Sequence, residues 1–251
     1  MLSPLRSLVF LVFQLLFTPP YALAVLALAW MGPIQRYRFI TFWCRANLWA
    51  ARALCGIRPR VIGLENMPAT PHVVMSKHSS TWETLFLTQL FPPLANVAKK
   101  ELLAIPFFGW AFRFASPITI DRKAGHAAMA QMAEQARTRI AEGFWIVVYP
   151  EGTRIPAGTR SAYKTGGARI ALALDLPILP VAHNAGWLWP KGILGKQSGL
   201  VTLSIGASIP PAGRDAASLT REVENWIEAE VERLGHPNQR PGAPALQHDA
   251  R

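Results

Sequence analysis

Two segments of the chain join a strand-like run to a polar end. They read PHVVMSKH at residues 71–78 and GFWIVVYPEGTR at residues 143–154. Each run of β-branched and other apolar residues has the length of a strand, and each stops at side chains that can do chemistry. Buried runs of this kind are typical of parallel strands, and ligands bind beyond the carboxyl ends of such strands. We therefore expect the two polar ends to share one crevice.

Short strands alternate with helical stretches on either side of these segments. Six strands are predicted, at residues 73–76, 96–98, 118–120, 144–149, 178–182 and 200–204. Such alternation is typical of an α/β fold with a largely parallel sheet flanked by helices. We assign residues 61–235 to this domain. The tail at residues 236–251 is rich in Pro, Gly and Gln and is expected to be disordered.

The first 35 residues predict a membrane-associated helical segment. The run from Ser7 to Met31 is almost entirely apolar, and as one helix of roughly 25 residues it is long enough to cross a bilayer. Pro19 and Pro20 interrupt it, so the anchor is either one kinked span or a hairpin of two half-length helices. A cleaved signal peptide is the alternative, and the apolar sequence that continues to Trp30 argues against it.

Residues 36–60 mix arginines with aromatic residues. By the positive-inside rule these arginines place the rest of the chain on the cytoplasmic face of the inner (cytoplasmic) membrane. The stretch suits an amphipathic helix that lies on the membrane surface, and an ordinary helix packed on the protein fits equally well.

Composition narrows the class of protein. Of the 251 residues, 51% are hydrophobic, 16% are charged, and the formal net charge is +11. Low charge content favours membrane contact, and a basic surface attracts anionic lipid headgroups, phosphorylated substrates or nucleic acid. No RNA-binding or zinc-finger pattern occurs in the sequence, so nucleic acid is not an expected partner. Cys44 and Cys55 lack a metal-ligand spacing and are expected to be free thiols.

His78 lies just before a predicted helix. Residues 80–83 read STWE, a capping box with Ser80 as the N-cap and Glu83 at the third helical position. A side chain at that position points back toward the helix start, and the helix dipole keeps a nearby imidazole neutral. His78 therefore suits a general base that Glu83 orients, unless Glu83 only caps the helix and His78 only bonds a loop. No metal is expected, because His-Glu-x-x-His spacing is missing from the sequence.

The segment PEGTR at residues 150–154 joins a flexible glycine to a guanidinium. Gly152 allows close backbone approach, and the planar fork of Arg154 matches a phosphate. Glu151 either holds that arginine or accepts a hydrogen bond from a substrate hydroxyl. Further cations follow strands or loops, at Lys99, Lys100, Arg122 and Lys164. Several converging cations would bind an anion, and the alternative is a turn with solvated surface charges.

In combination these blocks resemble those of the glycerolipid acyltransferase family, in particular the 1-acylglycerol-3-phosphate acyltransferases. They read HSSTWE at 78–83, KEL at 100–102 leading to IDR at 120–122, PEGTR at 150–154 and LPV at 179–181. The N-terminal apolar segment also fits the family. One block departs from the family pattern, because Glu83 stands where the family has aspartate. His78 can be oriented by this longer side chain if the backbone adjusts.

The resemblance implies transfer of a fatty acyl group from acyl-CoA or acyl carrier protein to the free 2-hydroxyl of a lysophosphatidate. The donor thioester is then a substrate, and no cofactor is implied. Membrane lipids are implied partners, with acyl carrier protein as a further one. His78 and Glu83 would be catalytic. The substrate-binding residues implied by the family blocks are Lys100, Arg122, Glu151, Gly152, Thr153 and Arg154.

Three other functions fit parts of the sequence. A different acceptor, such as a lyso-ornithine lipid, would not need Arg154. A lipid hydrolase would use His78 and Glu83 to activate water. A non-catalytic basic protein would only dock on anionic membranes. The sequence has no Gly-x-Ser-x-Gly elbow that would indicate an acyl-enzyme, and it does not identify a donor for the oxyanion of the tetrahedral intermediate.

Overall fold

The computed structural model describes residues 3–28, 30–120 and 126–238. Within them one sheet has strands Ile57–Ile62 (β1), Val73–Ser76 (β2), Leu94–Lys99 (β3), Ile118–Ile120 (β4), Trp145–Val148 (β5), Ile178–His183 (β6) and Gly199–Ile205 (β7). The α-helices are Ser3–Ala27 (α1), Pro33–Cys55 (α2), Trp82–Leu90 (α3), Phe108–Arg113 (α4), His126–Ala141 (α5), Gly166–Leu174 (α6), Ala185–Leu188 (α7) and Ala216–Leu234 (α8).

The sheet is largely parallel, which confirms the predicted fold class. Its strand order is β1-β7-β6-β2-β5-β3-β4, and β6 pairs with β7 in the antiparallel direction while the other neighbours are parallel. Every residue of the central strands β2, β5 and β6 is buried. Strands covered by helices on both faces need apolar residues at successive positions, which is why these runs were recognisable in the sequence.

The helices form two groups around the sheet. α1 to α4 contact one another, and α5, α6 and α8 form the second group. α8 buries the stripe Leu219, Val223 and Ile227, which has the spacing of one helix face. Asp215 caps this helix by accepting the backbone N–H of Ser218 over 2.7 Å. This cap and stripe fix α8 against β6, close to the carboxyl end of β2.

The apolar N-terminal segment is one helix that pairs with the next. α1 continues through Pro19 and Pro20 and is not divided into two half-length helices. It lies antiparallel to α2, since Gln14 Nε2 donates to Asn47 Oδ1 over 2.9 Å and Trp43 Nε1 donates to Thr18 Oγ1 over 3.1 Å. A helical hairpin therefore exists, but it joins α1 to α2 instead of folding within residues 7–31.

α1 is long and apolar enough to cross a membrane, judged by its 25 residues and a mean hydropathy of 1.9 over an 18-residue window. Only part of the helix packs on the protein, through Phe10, Ala22 and Val25. Its large exposed side chains are Leu5, Leu8, Val9, Val12, Leu15, Leu16 and Leu23. An exposed apolar face of this size is unusual for a surface in water and is consistent with membrane association.

The second segment differs from the interfacial helix predicted at residues 36–60. α2 ends at Cys55, where Gly56 takes the left-handed conformation at φ +71°, and residues 57–62 form β1. The helix is packed on the domain, with the Tyr37 hydroxyl donating to the Thr88 carbonyl over 2.8 Å. β1 is an edge strand with three exposed residues in succession, so it lacks the alternation that identifies a strand in a sequence.

Two predictions fall on residues that the structure does not describe. Arg122 lies in the undescribed segment 121–125, and all but the first three residues of the tail at 236–251 lie beyond residue 238.

Candidate active site

The two polar segments end side by side because β2 and β5 are neighbours. Met75 pairs with Val148 in parallel register, so both strands leave the sheet at the same edge. The turn after β5 is bonded to the turn after β2, since the N–H of Ile155 donates to the carbonyl of His78 over 2.8 Å. The crevice expected at the carboxyl ends of these strands is therefore formed.

His78 and Glu83 are in direct contact. Nδ1 of the imidazole lies 2.8 Å from Oε1 of Glu83. The same carboxylate oxygen accepts the backbone N–H groups of Ser79 and Ser80 over 3.2 and 3.1 Å. A glutamate in place of aspartate therefore still reaches the ring. With the proton on Nδ1 directed at Glu83, Nε2 is the nitrogen that can accept a proton.

The helix start differs in one detail from the predicted capping box. α3 begins at Trp82 with Thr81 as its N-cap, one residue later than expected. The Ser80 hydroxyl nevertheless accepts the N–H of Trp82 over 3.0 Å and donates to the Trp189 carbonyl over 2.6 Å. Ser80 thus ties the loop that follows His78 both to the start of α3 and to Trp189, which restricts the position of the imidazole.

Glu83 is fully buried. Burial by itself raises the pKa of a carboxyl, but the imidazoles of His183 and His78 and the N–H of Ser80 outweigh it, and the pKa of Glu83 is lowered. Nε2 of His183 lies 3.8 Å from Oε2 of Glu83 and donates to the Lys77 carbonyl over 2.8 Å. Burial lowers the pKa of His183. Glu83 is therefore an anion at neutral pH and can stabilise an imidazolium formed on His78.

Tyr149 covers one face of the imidazole. Its ring stacks on that of His78 with 4.3 Å between centroids and 27° between planes. The hydroxyl is buried and has no hydrogen-bond partner among the described residues, whereas the other three tyrosines, Tyr21, Tyr37 and Tyr163, each donate. Burial raises the pKa of Tyr149 well above its ordinary value, so the hydroxyl keeps its proton. An unsatisfied buried donor is costly, and this one belongs to a residue that lines the cavity.

Glu151 lies behind the cavity, and its side chain is not among those that line it. Oε1 accepts the backbone N–H of His78 over 3.1 Å and lies 3.5 Å from Nζ of Lys77. Burial raises the pKa of Glu151, although the N–H of His78 opposes the shift. The sequence predicted a contact with Arg154 or with a substrate hydroxyl. The geometry differs from that prediction and points to a role in holding the backbone of His78.

Arg154 shares the cavity with His78. Its Nη1 donates to the Thr81 hydroxyl over 2.8 Å, and the half-buried guanidinium lines the cavity wall. Gly152 takes the left-handed conformation at φ +70°, which favours glycine, and its backbone turns residues 153 and 154 back toward α3. Gly152 and Thr153 also line the cavity. The residues of the PEGTR segment are thus divided, with Glu151 behind the wall and the other four in it.

The cavity has a volume of about 910 Å³ and extends well beyond the polar residues. Its apolar lining comes from several helices, including Val25 of α1, Trp43 of α2, Leu85 of α3, Phe108 of α4 and Met132 of α5. An enclosure of this size suits a ligand with a long hydrocarbon part. The imidazole of His78 therefore stands where a polar and an apolar lining meet.

Cations converge on the cavity, as the sequence led us to expect, but they are not all the expected ones. The lining contains Lys99, Arg154, Lys164, Arg169 and Lys191. Lys100 is exposed and is not part of the lining, and Arg122 lies outside the described residues. Sequence reasoning missed Arg169 and Lys191. Arg169 lies on α6 and Lys191 in a loop, and neither stands in a motif that would indicate a place in the site.

Within residues 3–28, 30–120 and 126–238, no group of three or more His, Cys, Asp or Glu side chains could hold a metal ion. The site's chemistry in this part of the chain is that of an imidazole–carboxylate pair, a phenol and cations.

Comparison with known proteins gives consistent results. The family model described as "Acyltransferase" matches residues 58–184. The chain is 43% identical to a 1-acyl-sn-glycerol-3-phosphate acyltransferase of Pseudomonas aeruginosa over 213 residues, 83% of each chain. It is 36% identical to 1-acyl-sn-glycerol-3-phosphate acyltransferase alpha of Mus musculus over 143 residues, which are 56% of this chain and 50% of that protein.

A solved structure has the same fold. The 1-acyl-sn-glycerophosphate acyltransferase of Thermotoga maritima superposes with a TM-score of 0.76, covering 95% of this chain and 98% of that one at 24% identity. At this identity the likeness supports the fold alone.

Proposed function

The chain belongs to the acyltransferase family, and we propose that it transfers a fatty acyl group to the 2-hydroxyl of 1-acylglycerol 3-phosphate, giving phosphatidic acid. One observation carries this proposal: His78 and Arg154 line the same cavity, which continues into an apolar chamber. The relatives from Pseudomonas aeruginosa and Mus musculus, both named for this activity, support the choice of acceptor.

The proposed reaction begins with proton transfer to His78. Nε2 takes the proton of the 2-hydroxyl while the Nδ1–H group stays hydrogen-bonded to Glu83. The alkoxide oxygen then attacks the thioester carbonyl carbon. The tetrahedral intermediate collapses by breaking the carbon–sulfur bond. The thiolate leaves and receives the proton from His78, so that the base is regenerated and a free thiol is released. The donor is the acyl thioester of coenzyme A or of acyl carrier protein, and no further cofactor enters the reaction.

Tyr149 supplies the hydrogen bond that the oxyanion needs. The residue stacks on the imidazole and lines the cavity, and its buried hydroxyl is protonated and has no partner among the described residues. Other hydroxyls of the lining, on Thr41, Thr84 and Thr88, donate to carbonyls of their own helices. A donor aimed at the carbonyl oxygen stabilises the negative charge that develops there.

Arg154 binds the phosphate of the acceptor, and Thr153 and Gly152 shape that pocket. The hydrogen bond from Nη1 to Thr81 fixes one edge of the guanidinium and leaves its other donors for the ligand.

Lys99 takes the role that the sequence predicted for Lys100, because Lys99 lines the cavity. Arg122, which lies outside the described residues, remains a candidate from the sequence. Lys164, Arg169 and Lys191 add positive potential for the phosphates of the acceptor or of the donor carrier.

The enzyme works at a membrane. The acyl chains occupy the apolar chamber, whose lining includes Thr18, Ala22 and Val25 of α1. The outer face of that helix carries the exposed leucines and lies against lipid. The arginines of residues 36–60 favour the cytoplasmic face of the inner membrane.

The test uses purified protein with lysophosphatidate and an acyl thioester, and follows thiol release with and without acceptor. Acceptor-dependent release together with phosphatidate formation supports the proposal. Thiol release with free fatty acid and no acceptor indicates a hydrolase instead. A lyso-ornithine lipid tested in parallel separates acceptors that lack the phosphate, and coenzyme A and acyl carrier protein esters are compared to identify the donor.

A further inference from the structure

A fully buried lysine stands directly before the catalytic base. Lys77 is 2% exposed, and each of its polar groups is bonded. Its N–H donates to the Val181 carbonyl over 3.0 Å, and its carbonyl accepts Nε2–H of His183 over 2.8 Å. Strand β6 therefore holds both backbone groups of Lys77, and the side chain is left to reach behind the cavity.

The ammonium group of Lys77 is paired with the C-terminal helix. Nζ lies 2.7 Å from Oε1 of Glu228, and the hydroxyl of Tyr163 donates to the same oxygen over 2.8 Å. Nζ also lies 3.5 Å from Oε1 of Glu151, the oxygen that accepts the N–H of His78. A continuous chain of charged contacts thus runs from α8 through Lys77 and Glu151 to the backbone of the base.

Stability alone gives a poor reason for this arrangement. Burying an ammonium and two carboxyl groups carries a large desolvation cost, and well-packed apolar side chains are often as stable in the same space. A network of this kind is explained if the reaction needs the side-chain and backbone geometry that the network imposes. The residue it holds most closely is His78, whose imidazole must stay against Glu83 and face the cavity. Glu228 also lies outside residues 58–184, which match the family model.

We propose that Glu228 and Lys77 are positioning residues for the base, so that α8 forms part of the active site without touching the substrate. The inference rests on the proposed function, because it takes His78 to be the base. It predicts that loss of the ion pair lowers kcat and leaves KM for both substrates nearly unchanged. A small displacement of a catalytic group is enough for this, since about 1 Å costs up to about 10²-fold in rate.

The first variant is Glu228→Gln, which keeps the side-chain shape and removes the charge. We expect kcat to fall by about 10- to 100-fold with KM within about twofold. The matched control is Glu232→Gln, one turn further along α8, where an exposed carboxylate pairs with Arg160 over 2.7 Å. It should retain wild-type kinetics. Wild-type kcat per folded molecule in Glu228→Gln would overturn the proposal.

The second variant separates positioning from stability. The double variant Lys77→Met, Glu228→Leu replaces the ion pair with apolar side chains of similar volume, which is expected to keep the fold stable. If the pair positions His78, the double variant has a Tm at or above the wild-type value while its kcat stays low. If both the Tm and the kcat of the double variant are at the wild-type level, the pair only supports folding and the proposal is wrong. This comparison also decides the matter if Glu228→Gln does not fold.

Failure of the inference is distinct from failure of the proposed function. If wild-type protein does not acylate lysophosphatidate, the proposed function is wrong, and the same comparison of variants is made with whichever acceptor, water included, the wild-type protein uses. A low kcat in the double variant on that acceptor still supports positioning of His78.

Discussion

The backbone N–H of His78 donates to Oε1 of Glu151 over 3.1 Å, although 73 residues separate the two along the chain. The bond joins the turn that carries His78, the proposed base, to the turn that carries Arg154, the proposed phosphate-binding residue. Because it uses the backbone of His78, it fixes where the imidazole starts without competing for either ring nitrogen. Glu151 therefore links two parts of the site that the proposed reaction needs in register.

The first prediction concerns Glu151. Glu151→Ala removes the acceptor of the His78 N–H and should lower kcat by up to about 10²-fold, with KM for lysophosphatidate little changed. Glu151→Gln keeps an acceptor oxygen for the N–H of His78 and should be milder. Steady-state kinetics of both variants is the measurement. A large rise in KM in either variant would instead support direct contact of Glu151 with the substrate.

The second prediction concerns the base. His78→Ala should reduce kcat by at least about 10²- to 10⁴-fold, the range attributed to general acid–base catalysis, while lysophosphatidate binding and Tm stay close to wild type. Turnover and ligand binding are measured on the same preparation. Near-normal rates would exclude His78 as the base.

The third prediction concerns the phosphate. Arg154→Ala should raise KM for lysophosphatidate by about 10- to 100-fold, which corresponds to the roughly 1.5–3 kcal/mol of a hydrogen bond to a charged group. A mispositioned acceptor lowers kcat as well. Arg154→Lys keeps the charge without the planar fork and should recover only part of the affinity. If Arg154 binds the phosphate, the wild-type protein and the variant should have the same KM for an acceptor that lacks a phosphate.

The fourth prediction concerns the oxyanion. Tyr149→Phe keeps the ring that stacks on His78 and removes the hydroxyl, so kcat should fall by up to about 10²-fold. Tm should be equal or higher, because a buried hydroxyl without a partner among the described residues is removed. Unchanged kcat would remove Tyr149 from the mechanism, and a change confined to KM for the acceptor would assign its hydroxyl to acceptor binding.

The fifth prediction is a pH dependence of stability. The pKa of Glu83 is lower in the folded protein than its ordinary value of 4.5. The stabilisation is therefore complete above that value and is lost as the pH falls through the lowered pKa. Chemical denaturation at neutral and acidic pH should show Glu83→Gln less stable than wild type at neutral pH, with a difference that shrinks on acidification. A difference that does not change with pH would mean that the carboxyl is not charged in the folded protein.

The local parts of the site were predictable from the sequence. Glu83 follows His78 by five residues, and a side chain at the start of a helix points back toward the preceding loop whatever the rest of the fold does. The buried strands β2, β5 and β6 were recognisable because an apolar run is required wherever both faces of a sheet are covered. β1 was missed because an edge strand with exposed Arg58, Pro59 and Arg60 meets no such requirement.

Roles that depend on strand order had no such signal. The sequence shows a glutamate in PEGTR, and only the adjacency of β2 and β5 makes it a partner of the His78 backbone. The choice of Lys99 over Lys100 depends on which way a side chain leaves the end of β3. Lys77 and Glu228 are 151 residues apart, and they meet because α8 packs beside β6, the other neighbour of β2.

The chain's local chemistry thus specifies which elements form and which reactive side chains stand at their ends, because propensity, capping and burial pattern act over a few residues. Which of those side chains face one another is set by how the strands are ordered in the sheet. That order follows from the packing of the whole core, a balance of contacts between residues far apart in the sequence that no short segment encodes.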